Sequence, residues 1–362
     1  MKSRQIPKKT IIRRIVLIAV AAVLLLTAVP FCVSGIVYSA VFTGRFETAD
    51  YLRYDVSEFE GLKEERLTFK SCGRSLQGYL YSVDEADMPK GVVVVCHGFG
   101  GGGANQYMDS AYMFARNGYY VFMFDAAGND LSEGSGTEGI PQYTLDLDAA
   151  IGYVKEDGRL KDLPVMLFGH SMGGFSVLNV LNLRDDVAAV AVLSGFCDSS
   201  DMIVREGMEK AGPVSLLLLP YVKLFEKIKF GLSATEGAIA GLKKSSCRVL
   251  VAHSSDDETV PIGAGLGKLE EEFSGDGRFA FVKFDDRGHN YVDFSDEALD
   301  YVEEFNKAFE VWFNETSPTA SERSEYMREH LDRGLWTNAL DGDLYEKIID
   351  MFNAAAEERS LG

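Results

Sequence analysis

The feature that most constrains the fold is an alternation of short apolar runs with helical patterns between residues 66 and 313. Residues 91–96 (GVVVVC) form a continuous apolar run, as expected of a strand buried on both faces of a parallel sheet. Similar runs recur at residues 119–124, 165–168, 188–193, 248–252 and 279–284. Helical patterns separate these runs, so the sequence predicts an α/β fold with a mostly parallel central sheet flanked by helices.

The remaining segments predict how the chain is organised around this sheet. Residues 66–71 and 75–83, with Gly73 near the turn, predict a leading hairpin. About fifty residues of helix-like sequence interrupt the alternation, and we interpret them as a helical lid inserted in a domain of residues 65–316. The predicted helices are residues 105–117, 144–156, 172–183, 263–273 and 296–313, and the predicted lid is residues 197–247. Residues 317–362 form a charged tail whose apolar stripe at residues 343–352 predicts a docked terminal helix.

The N-terminus combines a basic cluster with a long apolar run. Residues 15–42 carry no charge, and this length exceeds the roughly 20 residues that span a bilayer. Six basic residues within residues 1–14 precede the run, which predicts a cytoplasmic N-terminus and an extracytoplasmic domain on a single-pass cell-membrane anchor. The alternative is a signal peptide cleaved near Gly35, which would yield a secreted protein. Because the apolar run continues past Gly35, the uncleaved transmembrane helix is favoured, and residues 43–64 would form a polar connector.

Charge and cysteine content exclude other classes of protein. The formal net charge is −19, and after residue 42 the chain holds 30 basic against 55 acidic residues. Nucleic-acid binding begins with neutralisation of phosphates, so an acidic body of this kind argues against it. The five cysteines are widely spaced and include no CxxC pair, a pattern of neither a disulfide framework nor a zinc site.

The strongest chemical motif is residues 169–174, GHSMGG. It follows a predicted strand and opens a predicted helix, which is the context of a nucleophile elbow. Gly169 and Gly173 would leave space where a Cβ atom would collide with neighbouring backbone. Ser171 is therefore the candidate nucleophile, above a helix N-terminus that favours developing negative charge.

A serine nucleophile needs a base and an orienting acid. Of the five histidines, His289 follows the last predicted strand and precedes a helix, so its position and its order in the chain select it. We expect His170 to point away from the functional position at the elbow. The acid should lie among three adjacent carboxylates, residues 256–258, that follow the strand at residues 248–252.

An acyl-transfer site also needs two backbone donors for the oxyanion. The first expected donor is the N–H of Met172, the residue after the nucleophile. The second should come from the loop at residues 97–100, HGFG, with Phe99 as the candidate. A phosphate-binding role for the adjacent glycines is disfavoured, because no Lys-Ser/Thr follows them.

These motifs, in the order serine, acid, histidine, resemble the α/β-hydrolase superfamily. Within it the chain is similar to the monoacylglycerol lipase-like and serine aminopeptidase-like "hydrolase 4" branch over residues 64–313. The quoted segments are HGFG at residues 97–100, FDAAGNDLSEG at residues 124–134, GHSMGG at residues 169–174, D-x-x-V-P at residues 257–261 and GH at residues 288–289. The resemblance implies Ser171, Asp257 and His289 as the triad, with Phe99 and Met172 in the oxyanion hole. It selects Asp257 over Asp256 because Asp257 stands four residues before Pro261.

The sequence departs from the branch at three positions. Ser254 replaces a usual glycine, and Ala127 and Asp130 replace the usual arginine and glycine of the second segment. These departures leave the implied triad intact and concern the conformation of the loops. The implied reaction is acyl transfer to water, which needs no metal and no organic cofactor.

The predicted substrate is a small acyl ester or a lipid-like ester. An apolar stretch at residues 213–230 favours esters over charged peptides, and it is interpreted either as a membrane-facing lid or as a cap helix packed on the core. A serine aminopeptidase would share every catalytic residue and would need lid carboxylates such as Glu206, Glu209 or Glu226 for a substrate amine. A non-catalytic binding protein would be expected to have lost a triad member.

Overall fold

The computed structural model describes residues 7–83, 89–337 and 339–360. Residues 1–6 of the predicted cytoplasmic segment lie outside the described residues. The strands are β1 (Leu62–Ser71), β2 (Arg74–Val83), β3 (Val92–Cys96), β4 (Tyr120–Phe124), β5 (Val165–His170), β6 (Val187–Leu193), β7 (Arg248–Ser254) and β8 (Phe279–Phe284). The α-helices are α1 (Lys8–Val41), α2 (Met108–Arg116), α3 (Ile140–Glu156), α4 (Met172–Asn179), α5 (Ser199–Ala211), α6 (Leu219–Phe230), α7 (Ala238–Lys244), α8 (Leu266–Phe273), α9 (Asp296–Thr316), α10 (Ala320–His330), α11 (Arg333–Thr337) and α12 (Gly342–Ser360).

The described strands form one eight-stranded sheet in the order β1-β2-β4-β3-β5-β6-β7-β8. The leading hairpin β1–β2 is antiparallel, β2 pairs antiparallel with β4, and every later neighbour is parallel. This confirms the predicted mostly parallel sheet flanked by helices. The strand order reverses at β3, whose two neighbours are β4 and β5, and such a reversal opens a crevice at the carboxyl ends of the strands.

Helices cover both faces of the sheet. On one face, α3, α4, α7 and α8 pack on the strands, with fully buried side chains such as Leu147 and Leu242. On the other face, α2 and the terminal helix α12 contribute Phe114 and Phe352, whose rings lie 5.7 Å apart. The five residues of β3 are buried, which explains the uninterrupted apolar run in its sequence.

The elements differ from the predicted ones mainly at their ends. Strands β5 and β7 each run two residues past the apolar pattern, to His170 and Ser254. At these last residues the backbone still pairs with the neighbouring strand, but the side chains are no longer apolar, so the sequence pattern does not mark them as strand. The helix predicted at residues 172–183 ends at Asn179 and continues as a 3₁₀ turn, Val180–Asn182.

The charged tail is more structured than its composition indicates. Residues 320–337 contain α10 and α11, which the helical pattern alone did not predict. Aromatic contacts hold them to α9: the rings of Trp312 and Tyr326 stack at 4.2 Å, and Phe305 meets Trp336 at 5.5 Å. Such pairs stabilise packing beyond the burial of their surface.

Helix α1 is the one described helix that is long and apolar enough to cross a membrane. Membrane anchors and signal sequences share this property. Most of the helix is exposed, and its buried residues are Ser34, Gly35 and Tyr38 near its carboxyl end. The carboxyl half of α1 therefore contacts the rest of the protein, through residues such as Tyr38 and Phe31, while most side chains of the apolar run stay exposed.

The segment predicted as a polar connector lies against the domain. Phe46 forms a bridge with Asn129, and Thr48 and Tyr54 are buried. Residues 197–247, the predicted lid, lie between β6 and β7 and contain α5, α6 and α7.

Candidate active site

Ser171 occupies a strained turn between β5 and α4. Its backbone angles are φ 56° and ψ −116°, a combination that residues other than glycine rarely adopt. The Ser171 N–H donates to the Leu193 carbonyl of the neighbouring strand β6 at 2.9 Å, which fixes the turn to the sheet. The hydroxyl therefore stands at the carboxyl edge of the sheet, next to the crevice at β3.

The glycines beside Ser171 permit this turn. A Cβ atom on Gly169 would lie 2.4 Å from the Gly173 carbonyl oxygen, and one on Gly173 would lie 1.9 Å from the Cys96 carbonyl oxygen. Both distances are far below a van der Waals contact. The structure thus shows the steric reason for the two glycines that the sequence analysis singled out.

The structure brings Ser171, His289 and Asp257 into one hydrogen-bonded series. The Ser171 Oγ lies 2.8 Å from His289 Nε2, and His289 Nδ1 lies 2.8 Å from Asp257 Oδ2. With the proton on Nδ1, His289 donates to the carboxylate and accepts from the serine hydroxyl. This arrangement has the geometry of a nucleophile, a base and an orienting acid.

Asp257 is held as a carboxylate by its surroundings. Its side chain is fully buried, which raises the pKa, but donors around it outweigh that effect and hold the pKa well below the usual range. His253 Nε2 and His289 Nδ1 both donate to Oδ2, and the N–H groups of Thr259 and Val260 donate to Oδ1. The acid therefore stays charged at neutral pH.

Asp256, the competing carboxylate, binds the backbone of the histidine loop. Its Oδ1 accepts from the Gly288 N–H at 2.9 Å and from the Ser254 hydroxyl at 2.5 Å. The same hydroxyl accepts from the Arg287 N–H at 2.9 Å. Ser254, where the branch usually has glycine, thus supplies a hydroxyl that joins β7 to the loop before His289.

The loop after β3 borders the nucleophile. A Cβ atom on Gly98 would lie 3.3 Å from the Tyr107 hydroxyl and 3.5 Å from Ser171 Cβ, so this loop lies directly against the serine. Met172 begins α4, where the first N–H groups lack partners within the helix. The Phe99 ring is 37% exposed and belongs to this loop. These positions fit the predicted oxyanion donors, whose roles stay a prediction.

Two side chains that the sequence analysis did not use join this loop to His289. The Tyr107 hydroxyl lies 2.9 Å from His170 Nδ1 and accepts from the Gly98 N–H at 3.1 Å. His170 Nε2 in turn lies 3.0 Å from the His289 carbonyl oxygen. Burial lowers the pKa of His170 to about 3, so its ring is neutral, donates from Nε2 and accepts at Nδ1. Both ring nitrogens of His170 are thus engaged by groups other than the Ser171 hydroxyl, and the ring positions the backbone of His289.

His97 has a similar positioning role in the same loop. Burial lowers its pKa to about 4, so the imidazole is neutral. Its Nδ1 donates to the Gly98 carbonyl at 2.7 Å, and its Nε2 accepts from the Ala126 N–H at 3.0 Å. The ring thereby joins the carboxyl ends of β3 and β4.

The segment after α1 is bound through Asp130 to the loop that follows β3. The Asp130 carboxylate accepts from the Thr48 N–H and hydroxyl at 2.8 and 2.6 Å, from the Gly103 N–H at 3.0 Å and from Arg53 at 2.9 Å. The branch usually has glycine at this position. In this chain the Asp130 side chain instead binds residues of the connector, residues 43–64. The rings of Phe42 and Phe46 also pack on Phe99, at 5.9 and 4.9 Å.

A cavity of about 210 Å³ lies under the lid, apart from the triad. Phe175 of α4 and several charged lid side chains line it, including Glu226 and Lys223, and no triad residue does. Glu226 is buried and accepts from Tyr38 at 2.6 Å and from Ser199 at 2.7 Å. Within the described ranges, no group of three or more histidine, cysteine or acidic side chains is placed to hold a metal ion.

Comparison with known proteins supports the resemblance inferred from the motifs. The model of the family described as Hydrolase_4, serine aminopeptidase S33, matches residues 87–236, which include Ser171. The phospholipase YtpA of Bacillus subtilis is 28% identical over 147 residues, which are 39% of this chain and 53% of YtpA. The caffeoylshikimate esterase of Arabidopsis thaliana is 33% identical over 96 residues, which are 25% of this chain and 27% of that enzyme. The matches thus span about half and about a quarter of these relatives.

Solved structures share the fold over most of the chain. An esterase of Pyrococcus furiosus superposes with a TM-score of 0.53 at 15% identity, covering 76% of this chain and 98% of the esterase. Est1E of Butyrivibrio proteoclasticus with bound ferulic acid gives a TM-score of 0.50 at 20% identity, covering 68% of this chain and 98% of Est1E. At this identity the likeness shows the fold.

Fold, motif order and family match together define the class of protein. The chain has the α/β-hydrolase fold, and over residues 87–236 it is similar to the Hydrolase_4 family, described as serine aminopeptidase S33. Its hydrolase relatives support the prediction of a serine hydrolase, with ester hydrolysis favoured.

Proposed function

We propose that this chain is a membrane-anchored, extracytoplasmic serine hydrolase that cleaves carboxylic esters. The observation that carries the proposal is the hydrogen-bonded series from Ser171 through His289 to Asp257, with Ser171 on a strained strand-to-helix turn. A serine in this setting is activated by its base, and the helix N-terminus beneath it favours negative charge.

The proposed reaction proceeds through an acyl-enzyme. His289 takes the Ser171 proton as the hydroxyl oxygen attacks the ester carbonyl, and the Phe99 and Met172 N–H groups stabilise the oxyanion. The intermediate collapses to the acyl-serine as His289 returns the proton to the leaving alcohol. Water, activated by His289, then attacks the acyl group and regenerates the Ser171 hydroxyl. Asp257 stabilises the protonated imidazole in both steps.

Esters are preferred to aminoacyl amides because two of the three candidate lid carboxylates, Glu226 and Glu206, already have partners within the protein. Glu226 is buried and accepts from Tyr38 and Ser199, and Glu206 pairs with Lys210 on the surface of α5. A peptidase that selects a free amino terminus would need a carboxylate directed at the substrate. The phospholipase and the esterase among the relatives also favour an ester, although only part of each is matched.

The anchor and its orientation follow from α1. The helix is long and apolar enough to span a bilayer, and the basic cluster precedes it. We favour an uncleaved anchor over a signal peptide cleaved near Gly35, because Gly35 is buried within a continuous helix that packs on the domain.

Labelling with a fluorophosphonate probe tests the catalytic part of this proposal. The full chain in detergent should react, and Ser171→Ala should not, while Ser176→Ala on the same helix serves as the matched control. A panel of acyl esters and aminoacyl amides should follow. Cleavage of amides alone would favour a peptidase, and a folded protein that neither reacts nor hydrolyses would favour a binding role.

Membrane topology is tested separately. Cys72 is exposed at the turn of the leading hairpin, so it reports the side of the membrane on which the domain lies. An impermeant maleimide added to intact cells should label Cys72, and Cys72→Ser is the control. Labelling that requires permeabilised cells would contradict the extracytoplasmic location.

A further inference from the structure

Helix α6 of the lid packs along the outer half of α1. The Tyr221 hydroxyl donates to the Leu26 carbonyl at 2.6 Å. The Phe225 ring lies 6.2 Å from Phe31 and 5.6 Å from Tyr38. The lid and the candidate membrane helix therefore form one packed unit.

The contacts follow the same order along both helices. Tyr221 meets Leu26, Phe225 meets Phe31 and Tyr38, and Glu226 accepts from Tyr38 at 2.6 Å. The two helices consequently run in the same direction, and the start of α6 lies beside the middle of α1. A spanning segment needs about 20 residues at 1.5 Å per residue, so Leu26 lies near mid-depth in a bilayer crossed from Ile15 onward.

The charge along the lid sequence changes between the start and the end of α6. Residues 211–222 carry no charge, and they include the start of α6, where Tyr221 contacts Leu26 in the apolar middle of α1. The first charged residues after them are Lys223, Glu226, Lys227 and Lys229. Of these, Glu226 accepts from Tyr38 near the outer end of α1, and Lys229 donates to the Glu138 carbonyl. Lysines at the level of the headgroups with apolar residues below them are typical of an interfacial helix.

The lid exposes large apolar side chains on the same side of the molecule. Leu217 is 71% exposed, and Leu224 and Ile228 follow it at helical spacing on α6 with 49% and 67% exposure. Val214 in the preceding 3₁₀ turn is 62% exposed. An apolar face of this kind marks an interaction site, and it is continuous with α1, whose apolar window is not buried in the protein.

From these contacts we propose that residues 212–222 and the apolar face of α6 are embedded in the outer leaflet of a bilayer beside α1, with Lys223 and Lys227 at the level of anionic headgroups. The inference rests on the proposed anchor and names the partner of the lid as a lipid surface. The lid belongs to the hydrolase domain, and Phe42 at the end of α1 contacts Phe99 beside the nucleophile. The substrate class that follows is an ester of a lipid resident in that leaflet, taken up from the bilayer rather than from water.

Site-directed spin labelling measures the immersion of the lid directly. The full chain with Cys32→Ser and Cys72→Ser carries one nitroxide at Leu217→Cys and is reconstituted in vesicles of phosphatidylcholine and phosphatidylglycerol. Leu25→Cys in α1 is the reference for the bilayer, and Val311→Cys, an exposed apolar position on α9, is the reference for water. The nitroxide at residue 217 should collide more often with oxygen than with a water-soluble nickel complex. The label at residue 25 should behave in the same way, and the label at residue 311 should show the opposite preference.

The other outcomes overturn the inference in distinct ways. A label at residue 217 that resembles residue 311, with residue 25 in the bilayer, would leave the anchor intact and remove the lid from the membrane. Spin–spin broadening between copies would show that a second chain covers the face. Nickel access at residue 25 would contradict the anchor as well.

Hydrolysis separates membrane docking from catalysis. Leu217→Asp should lower the rate on a long-chain ester in these vesicles by at least roughly tenfold and change the rate on a short water-soluble ester less than about twofold. Val311→Asp is the matched control and should change neither rate. Equal loss on both esters would overturn the docking role, and absence of hydrolysis in the parent chain would contradict the proposed function itself.

Discussion

His170 contacts the backbone of His289: its Nε2 lies 3.0 Å from the His289 carbonyl oxygen, and the two rings lie 5.1 Å apart. His170 directly precedes Ser171, and its Nδ1 is hydrogen-bonded to the Tyr107 hydroxyl. The same hydroxyl accepts a hydrogen bond from the Gly98 N–H. One chain of hydrogen bonds therefore joins the loop after β3, the turn at Ser171 and the loop that carries His289.

Tyr107→Phe should lower kcat/KM on a soluble ester by roughly tenfold while Ser171 still reacts with a fluorophosphonate. The substitution leaves the Gly98 N–H and the His170 Nδ1 without their buried partner, a loss of about 1–3 kcal/mol. Steady-state kinetics and thermal unfolding check it, with Tyr120→Phe on β4 as the control. Unchanged kinetics in a folded variant would show that this chain of hydrogen bonds does not position the site.

Asp257→Asn and Asp256→Asn should separate the two neighbouring carboxylates. The first places an amide where His289 Nδ1 must donate, so kcat should fall by about 10³- to 10⁴-fold. The second keeps an acceptor for the Gly288 N–H and should cost about tenfold or less. Measurement of kcat for both variants decides between them, and a larger loss at Asp256 would contradict the assignment of the acid.

Asp130→Gly restores the residue usual in the branch and should loosen the connector. The change removes the acceptor for Thr48, Gly103 and Arg53, at a cost of about 2 kcal/mol in the free energy of unfolding. Limited proteolysis should cut near residue 48 faster than in the parent chain. The control is Glu47→Gln at an exposed neighbour, and equal cleavage of all three proteins would show that Asp130 does not hold the segment.

Asp293→Asn should stabilise the protein at neutral pH more than at acid pH. Burial of the carboxyl raises its pKa to about 6, with Asp341 adding to the shift, while the Tyr345 hydroxyl and Arg287 oppose it. The folded state then binds a proton that the unfolded state has lost, so this group lowers the free energy of unfolding as pH rises from about 4 to 6. Above about pH 6 the ionised Asp293 carboxylate destabilises the folded state by its full amount.

Thermal unfolding of the full chain in detergent at pH 4.5, 5.5 and 7 checks this pH dependence. The advantage of Asp293→Asn over the parent chain should grow with pH and reach about 1 kcal/mol at pH 7. Asp300→Asn on the exposed side of α9 is the control. A gain that is constant across the three pH values would contradict the raised pKa.

Local sequence was sufficient for the elements that carry the candidate nucleophile, Ser171. The apolar run of β5, the GHSMGG turn and α4 lie within fifteen residues, and sterics and backbone pairing over that short distance select the elbow at Ser171. The order of serine, acid and histidine, each after a strand, likewise placed His289 at the edge of the sheet. Its partner among the carboxylates could be selected only through the family pattern.

Tertiary structure alone decided which groups meet across long stretches of chain. Tyr107 and His170 are 63 residues apart, and Tyr38 and Glu226 are 188 residues apart. Nothing in the periodicity near either residue encodes such a contact, because periodicity reports only which face of an element is apolar. Packing of the elements selects the partner: it directs Asp257 to the ring of His289, directs Asp256 to the backbone of Gly288, and places α6 beside α1.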